Sequence, residues 1–277
     1  MNTQSRMASD TILMTPSTIS FTTDYGLSDG FVAACHGTIA RLAPQARIID
    51  VTHLIPPGDI RRAAAVLAQT APALPPAVHL AVVDPGVGTS RRPIAIATHG
   101  TASHPGGSLL VGPDNGLLIP AAESLGGIAT AVHLTNREWF AAEVSATFHG
   151  RDVFAPVAAR LSAGASLLAA GEVIDDLVRL PHPFVEQTPR RLIAEVLTVD
   201  RFGNVQLAAT PDLLPSTALA LTVETVEAAR TNTFGDAPAG ALILLTDSAG
   251  QLAVAVNGGS AAALLSLTPG DRVTIAY

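Results

Sequence analysis

Residues 78–92 read VHLAVVDPGVGTSRR, and this stretch decides the fold. Val78 to Asp84 is an unbroken, largely β-branched run, as expected for a strand buried on both faces. It stops abruptly at Asp84, and Pro85-Gly86-Val87-Gly88 turns the chain. Upstream, Ile19 to Thr23 (ISFTT) and Arg47 to Val51 (RIIDV) also read as strands. Between them, Phe31 to Leu42 places Phe31, Cys35, Ile39 and Leu42 on one helical face. Asp59 to Thr70 reads as a second helix with Asp59 as its N-cap. Strand–helix–strand–helix–strand implies a parallel sheet with right-handed crossovers. Downstream, Pro93 to Thr98, Ser108 to Gly112 and Ala131 to Thr135 add short strands, and Asp152 to Leu161 is helical.

Pro181, Pro183 and Pro189 mark a stiff connection, after which the pattern changes. Leu192 to Val199, Val205 to Ala209, Ala218 to Val223, Ala241 to Thr246, Leu252 to Asn257 and Arg272 to Ala276 are short strands without helices between them. The expected architecture is an α/β N-terminal domain with a mainly parallel sheet, followed by an all-β C-terminal barrel domain. The expected divisions are a flexible extension over residues 1–16, the α/β domain over 17–188 and the barrel over 189–277.

Composition excludes several classes. The chain has 277 residues, enough for one large or two modest domains. Apolar residues make up 48% and charged residues 14%, which is a globular and not a disordered balance. The net charge is −7, and no Lys/Arg run appears, so a nucleic-acid surface is not expected. All 16 basic residues are Arg. That removes a P-loop lysine, a Schiff-base lysine and a lysine base. Cys35 is the single cysteine, so neither an intrachain disulfide nor a thiolate zinc cluster can form. Met1 to Ser17 hold no apolar core behind a basic start, and apolar stretches are broken before membrane-spanning length. A soluble, cytoplasmic protein is expected, with no membrane partner. The all-Arg, Ala-rich usage suggests a GC-rich bacterial source.

Ligands of open parallel sheets bind beyond the carboxyl ends of the strands. Those ends carry Asp24 and Asp29, then His53 and Asp59, then Asp84 and Arg91. Asp29 and Asp59 also suit helix capping, and His53 a satisfied structural role. At Asp84, two following glycines suit close approach of a ligand to backbone. Gly86-Val87-Gly88 lacks the third glycine of a dinucleotide fingerprint and follows the wrong strand. Asp24, Asp29, Asp84 and His149 could be imagined around a metal, but they fit a ribose or an ammonium equally well, and no metal is assigned. His149-Gly150-Arg151-Asp152 stands at a helix entry, where the ring could face a cleft. Asp200-Arg201-Phe202-Gly203-Asn204 reads by itself as a hairpin turn.

Seven segments in order carry a resemblance. They are Thr22 to Gly26 with Asp29; His53 with Pro57 and Asp59; Val83 to Gly88; Gly112 to Leu117; Phe148 to Pro156; Asp200 to Val205; and Asn257 to Ala261. Together they make the chain similar to the S-adenosylmethionine hydroxide adenosyltransferase family, relatives of the fluorinase and chlorinase enzymes. The resemblance implies a homotrimer whose sites lie between the N-terminal domain of one subunit and the C-terminal domain of the next. It implies hydrolysis of S-adenosylmethionine to adenosine and methionine, with no cofactor.

The family's polar triad maps onto Asp84, Arg91 and His149. Guanidinium stays protonated, so Arg91 can hold an incipient hydroxide but cannot act as a base. An Asp paired with Arg is a poor base and a good orienter. His149 titrates nearest neutrality and is the first candidate to accept the proton. By the same mapping, Asp24 grips the ribose hydroxyls, and Asp29 and Asp200 lie near the methionine portion. Asn204, Phe234 and Ser248 lie on the adenine side. The halide-using relatives carry Tyr at the position of His149 and lack the acid at Asp84. Asp84 and His149 together argue for hydroxide over a halide; an adenosyl halogenase and a non-catalytic protein binding adenosine or S-adenosylmethionine are the alternative readings. Two departures stand out: Ala249 replaces an Arg of the halogenating relatives, and His36 stands where relatives often have Lys.

Overall fold

The computed structural model describes residues 17–277 other than 217 and 219. The extension expected over 1–16 lies outside these residues. Two compact units divide between Leu180 and Pro181.

The first unit begins with β1 (Thr18–Thr23), α1 (Phe31–Leu42), β2 (Arg47–Thr52), α2 (Ile60–Thr70) and β3 (Val78–Val82). It continues with β4 (Pro93–Thr98), β5 (Leu109–Pro113), α3 (Ile119–Ser124), β6 (Ile128–Leu134), α4 (Ala155–Ser162) and β7 (Gly171–Ile174). The sheet order is β2-β1-β3-β5-β4-β6-β7. The run β2-β1-β3-β5 is parallel, while β4 and β7 oppose their neighbours. Every residue of β3 is buried, His79 included, as expected of a strand covered on both faces. Val78, Leu80 and Val82 join one core with Cys35 and Ile39 of α1 and Val157 and Ala158 of α4. Ala81, one position out of phase, joins a second core with Leu67 of α2 and Ala121 of α3. Helices thus cover both faces, and the period of two along a strand sorts its side chains between them. The chain leaves β1 toward β2 on one side and returns to β3 on the other. The ends of β1 and β3 are therefore a topological switch point, where Asp24 and Asp84 emerge.

The second unit holds β8 (Val185–Thr188), β9 (Arg191–Val199), β10 (Val205–Leu207), β11 (Ala220–Val223), β12 (Val226–Arg230), β13 (Leu242–Thr246), β14 (Leu252–Val256), α5 (Ala261–Leu265) and β15 (Arg272–Ala276). The order β10-β14-β13-β12-β11-β15-β9 closes on itself through the β9–β10 pairing. This is a closed barrel of seven strands, with β8 added along β9. Closure removes the sheet edges that short strands would otherwise expose. Leu192, Ala194 and Val196 alternate inward along β9 and pack against Val254 and Val273. Because β8 belongs to this sheet, the unit starts ahead of the 188/189 division suggested by the prolines.

Candidate active site

Three expected residues form one connected group in the first unit. Arg91 Nε donates to Asp84 Oδ1 at 3.0 Å, and Arg91 Nη2 donates to Asp84 Oδ2. The fork-on-carboxylate geometry is that of a strong, charge-assisted pair. The side chains are 7% and 6% exposed, so the pair sits in a poorly screened environment. Arg91 Nη2 also reaches His149 Nδ1 at 3.0 Å. Guanidinium only donates, so Nδ1 is the acceptor and the neutral ring carries its proton on Nε2. Among the described residues, Arg91 Nη1 is buried without a hydrogen-bond partner. Below the guanidinium lies the Phe154 ring, 5.2 Å from its carbon. Burial, then the nearby Arg91 charge, hold the His149 imidazole below its ordinary pKa of 6.5. His149 is therefore neutral at neutral pH, as acceptance from Arg91 demands.

This geometry bears on the proton. The lone pair of neutral His149 is the one Arg91 occupies. As arranged, His149 offers Nε2–H as a donor, and accepting a proton requires release of the Arg91 contact.

Local structure explains why these residues meet. The loop after β3 crosses the loop before α4 at Gly88, whose φ is +76°. A Cβ there would lie 2.3 Å from the Ala146 carbonyl oxygen. The glycine thus admits the backbone of a neighbouring loop. The segment Gly150–Phe154 is a π-helical turn leading into α4, a feature common at functional sites. Asp152 is buried there and binds Arg151 Nε at 2.6 Å, Arg151 Nη2 at 2.9 Å and the Ser145 N–H at 2.9 Å. Burial raises the Asp152 carboxyl, but the hydrogen bonds from Arg151 and Ser145 outweigh it and hold the group below the usual range. The loop bearing His149 is therefore tied at both ends. Asn115, from the Gly112–Leu117 segment, donates to the Val83 carbonyl at 2.9 Å and steadies the residue before Asp84. Asp114 instead binds Arg92 and the Val178 N–H.

Asp24 leaves β1 and accepts from the Gly58 N–H through Oδ2 at 2.9 Å. Asp29 is exposed on the same loop, and Gly30, not Asp29, occupies the N-cap of α1. Asp59 caps α2 through the Arg62 N–H at 2.9 Å. Tyr25 was not singled out from sequence. Its ring packs edge-on against Phe148 with centroids 5.8 Å apart. Burial, followed by the charges of Cys35, Asp24 and Asp84, pushes its phenol well above 10, so it stays a neutral donor. A Cβ on Gly150 would lie 2.0 Å from the Tyr25 hydroxyl oxygen, which accounts for glycine beside His149.

The remaining expected residues lie in the second unit. Asp200 closes the β9–β10 turn, accepting from the N–H groups of Phe202 and Asn204 at 2.9 Å each and from Asn204 Nδ2 at 2.8 Å. Asp200 thus closes a hairpin turn, as the residues of this segment suit. Phe234 is 46% exposed, and Ser248 is exposed in the β13–β14 turn. In that turn the Ala249 N–H is committed to Asp247 Oδ1 at 2.8 Å.

Comparison with known proteins identifies the family of the chain. Residues 19–171 match the SAM hydroxide adenosyltransferase N-terminal domain, and residues 194–274 match the C-terminal domain. The chain belongs to the SAM hydroxide adenosyltransferase family. Within that family it is 63% identical over 259 residues to the (R)-S-adenosyl-L-methionine hydrolase of Salinispora tropica, covering 93% of this chain and 97% of the relative. The enzyme of the same name from Thermus thermophilus is 41% identical, covering 92% and 98%. An uncharacterized conserved protein from Thermotoga maritima has the same fold, with a TM-score of 0.86, 38% identity and coverage of 94% and 100%. A fluorinase from Nocardia brasiliensis stands further off at 27% identity.

Proposed function

We propose that the chain hydrolyses S-adenosyl-L-methionine to adenosine and L-methionine. The observation that carries this reading is the Asp84–Arg91–His149 group, with the buried Arg91 Nη1 left unpartnered among the described residues. A water or hydroxide oxygen is the acceptor that Nη1 lacks. The oxygen forms a bond to C5′ of the ribose as the C5′–sulfur bond breaks. The sulfur keeps the electron pair and leaves as a neutral thioether, so no acid is needed. One proton is released per turnover. Arg91 stabilises negative charge on the attacking oxygen, and His149 orients it through Nε2–H. Asp84 holds Arg91 in place. No oxidation state changes, and the reaction uses no cofactor.

Asp24 binds the ribose hydroxyls. Asp29 and Asp200 face the methionine ammonium, and Asn204, Phe234 and Ser248 serve the adenine. The family resemblance supports a homotrimer with these two sets drawn from neighbouring subunits, and the single cysteine suits a reducing, cytoplasmic setting. An adenosyl halogenase is disfavoured because Asp84 would repel a halide.

Chromatography of purified protein incubated with S-adenosylmethionine, with and without added halide, tests the proposal. Adenosine and methionine in halide-free buffer are expected. A 5′-halo-adenosine appearing only with halide would overturn the hydrolytic reading. Bound adenosine without turnover would favour a binding protein.

A further inference from the structure

Helix α1 and edge strand β2 bring together three side chains that the proposed reaction does not use. His36 stands on α1, Asp50 on β2, and His53 just beyond β2. His36 Nε2 lies 2.9 Å from Asp50 Oδ1, and His53 Nε2 lies 3.1 Å from the same oxygen. One ligand atom from each residue falls within 4.8 Å of the other two. His53 is 4% exposed. Its Nδ1 is engaged with Thr23 Oγ1 at 2.9 Å. Its Nε2 is buried and forms no hydrogen bond among the described residues, because the approach to Asp50 is close without being aligned as one. A buried ring nitrogen set against a carboxylate with no hydrogen bond between them is costly unless something bridges the two.

We propose that His36, Asp50 and His53 bind a divalent transition-metal ion of the zinc class. The ligands are the two Nε2 atoms and a carboxylate oxygen, with solvent completing the shell. Zinc–ligand bonds near 2.0–2.2 Å place tetrahedral ligand atoms roughly 3.3 Å apart, so only a small opening of the present contacts is needed. Two imidazoles and one carboxylate suit zinc, cobalt or nickel, and do not suit magnesium or calcium, which take oxygen shells. His36 and Asp50 are 33% and 43% exposed, which leaves a path for entry and for a water ligand. Thr23 supplies the outer contact that such sites use to orient a histidine. The ion would tie α1 and the end of β2 to the loop carrying Asp24. Thr23 directly precedes that residue, and the His53 carbonyl accepts from the Gly26 N–H at 2.7 Å. None of the three ligands belongs to the Asp84–Arg91–His149 group, so the site stands apart from the displacement chemistry.

The test is a titration of the chelator-stripped full-length chain with Co²⁺, read by visible absorption and repeated with His36→Gln and Asp50→Asn. Both variants change part-exposed side chains and spare the buried His53. Melting curves in chelator check that each folds. One equivalent of Co²⁺ is expected to bind, to be displaced by Zn²⁺ and not by excess Mg²⁺. Affinity should fall about tenfold or more in each variant. Zn²⁺ should raise the melting temperature of the wild-type chain and not that of the variants. Absence of one-to-one binding, equal affinity in wild type and both variants, or displacement by Mg²⁺ would overturn the assignment.

Discussion

His149 keeps its only lone pair against Arg91, and this sets a pH requirement. If the ring is protonated, its Nδ1–H faces a guanidinium and the contact breaks. Burial and Arg91 lower the pKa, so the neutral ring is favoured through neutrality. The sign follows directly: kcat/KM should fall as pH drops through a value below 6.5 and be flat from there into the neutral range. A pH–rate profile with its acid limb at or above 6.5 would contradict the arrangement. Arg91 is the residue the site can least replace. A lysine ammonium cannot hold two carboxylate oxygens and Nδ1 together. Arg91→Lys should lower kcat on the order of 10²–10³-fold, with adenosine affinity little changed in calorimetry. His149→Ala should likewise abolish most turnover and spare adenosine binding. Asp24→Asn can retain the Gly58 contact but loses the charge, so it should weaken binding of adenosine, which lacks the methionine. An unchanged dissociation constant would remove the ribose role.

At the scale of elements, two loops must touch for the triad to exist. Gly88→Ala puts a side chain on a positive φ and against the Ala146 carbonyl. It should cost about 2 kcal/mol or more in denaturant unfolding. It should also lose turnover beyond any unfolded fraction, because Asp84 and His149 ride on those loops. Gly150→Ala meets the Tyr25 hydroxyl. Tyr25→Phe removes that oxygen, so the double variant should recover part of the stability lost in Gly150→Ala, which a double-mutant cycle measures. The ends of β1 and β3 were legible in the sequence because strand-like runs stop at Asp24 and Asp84. The contacts made by Gly88, Gly150 and Tyr25 were not, since they join segments far apart in the chain. Strand β12 also escaped: its hairpin with β11 turns through Glu224 at φ +57°, without the Gly or Asn that marks such turns. Helices α3 and α5 span six and five residues, too few for a periodic signal. The π-helical turn at Gly150–Phe154 leaves no compositional trace; the sequence there reads as ordinary helix.

For the whole molecule, each unit has its own apolar core, so unfolding need not be one cooperative step. A buried histidine gives the first unit a source of acid sensitivity. His79 lies in the middle of the sheet on β3, fully buried, with Nδ1 2.7 Å from Ser20 Oγ and Nε2 unpartnered among the described residues. Burial, and then His104, push its pKa from 6.5 down to about 4. The folded chain therefore holds His79 neutral where the unfolded chain protonates it. Above pH 6.5 both states are neutral and the residue contributes no slope. Between 6.5 and about 4 only the unfolded state takes up the proton, so stability falls, and below that the loss levels off. The total is on the order of 3 kcal/mol. Urea unfolding at steps from pH 7.5 to 4 should show the loss in the transition of the α/β unit, leaving the barrel's response free of it. His79→Leu removes the titrating ring and forfeits the Ser20 contact, so it can be less stable at pH 7.5. Its decisive property is a shallower fall toward pH 4; a slope equal to that of the wild-type chain would mean that the acid sensitivity comes from other groups.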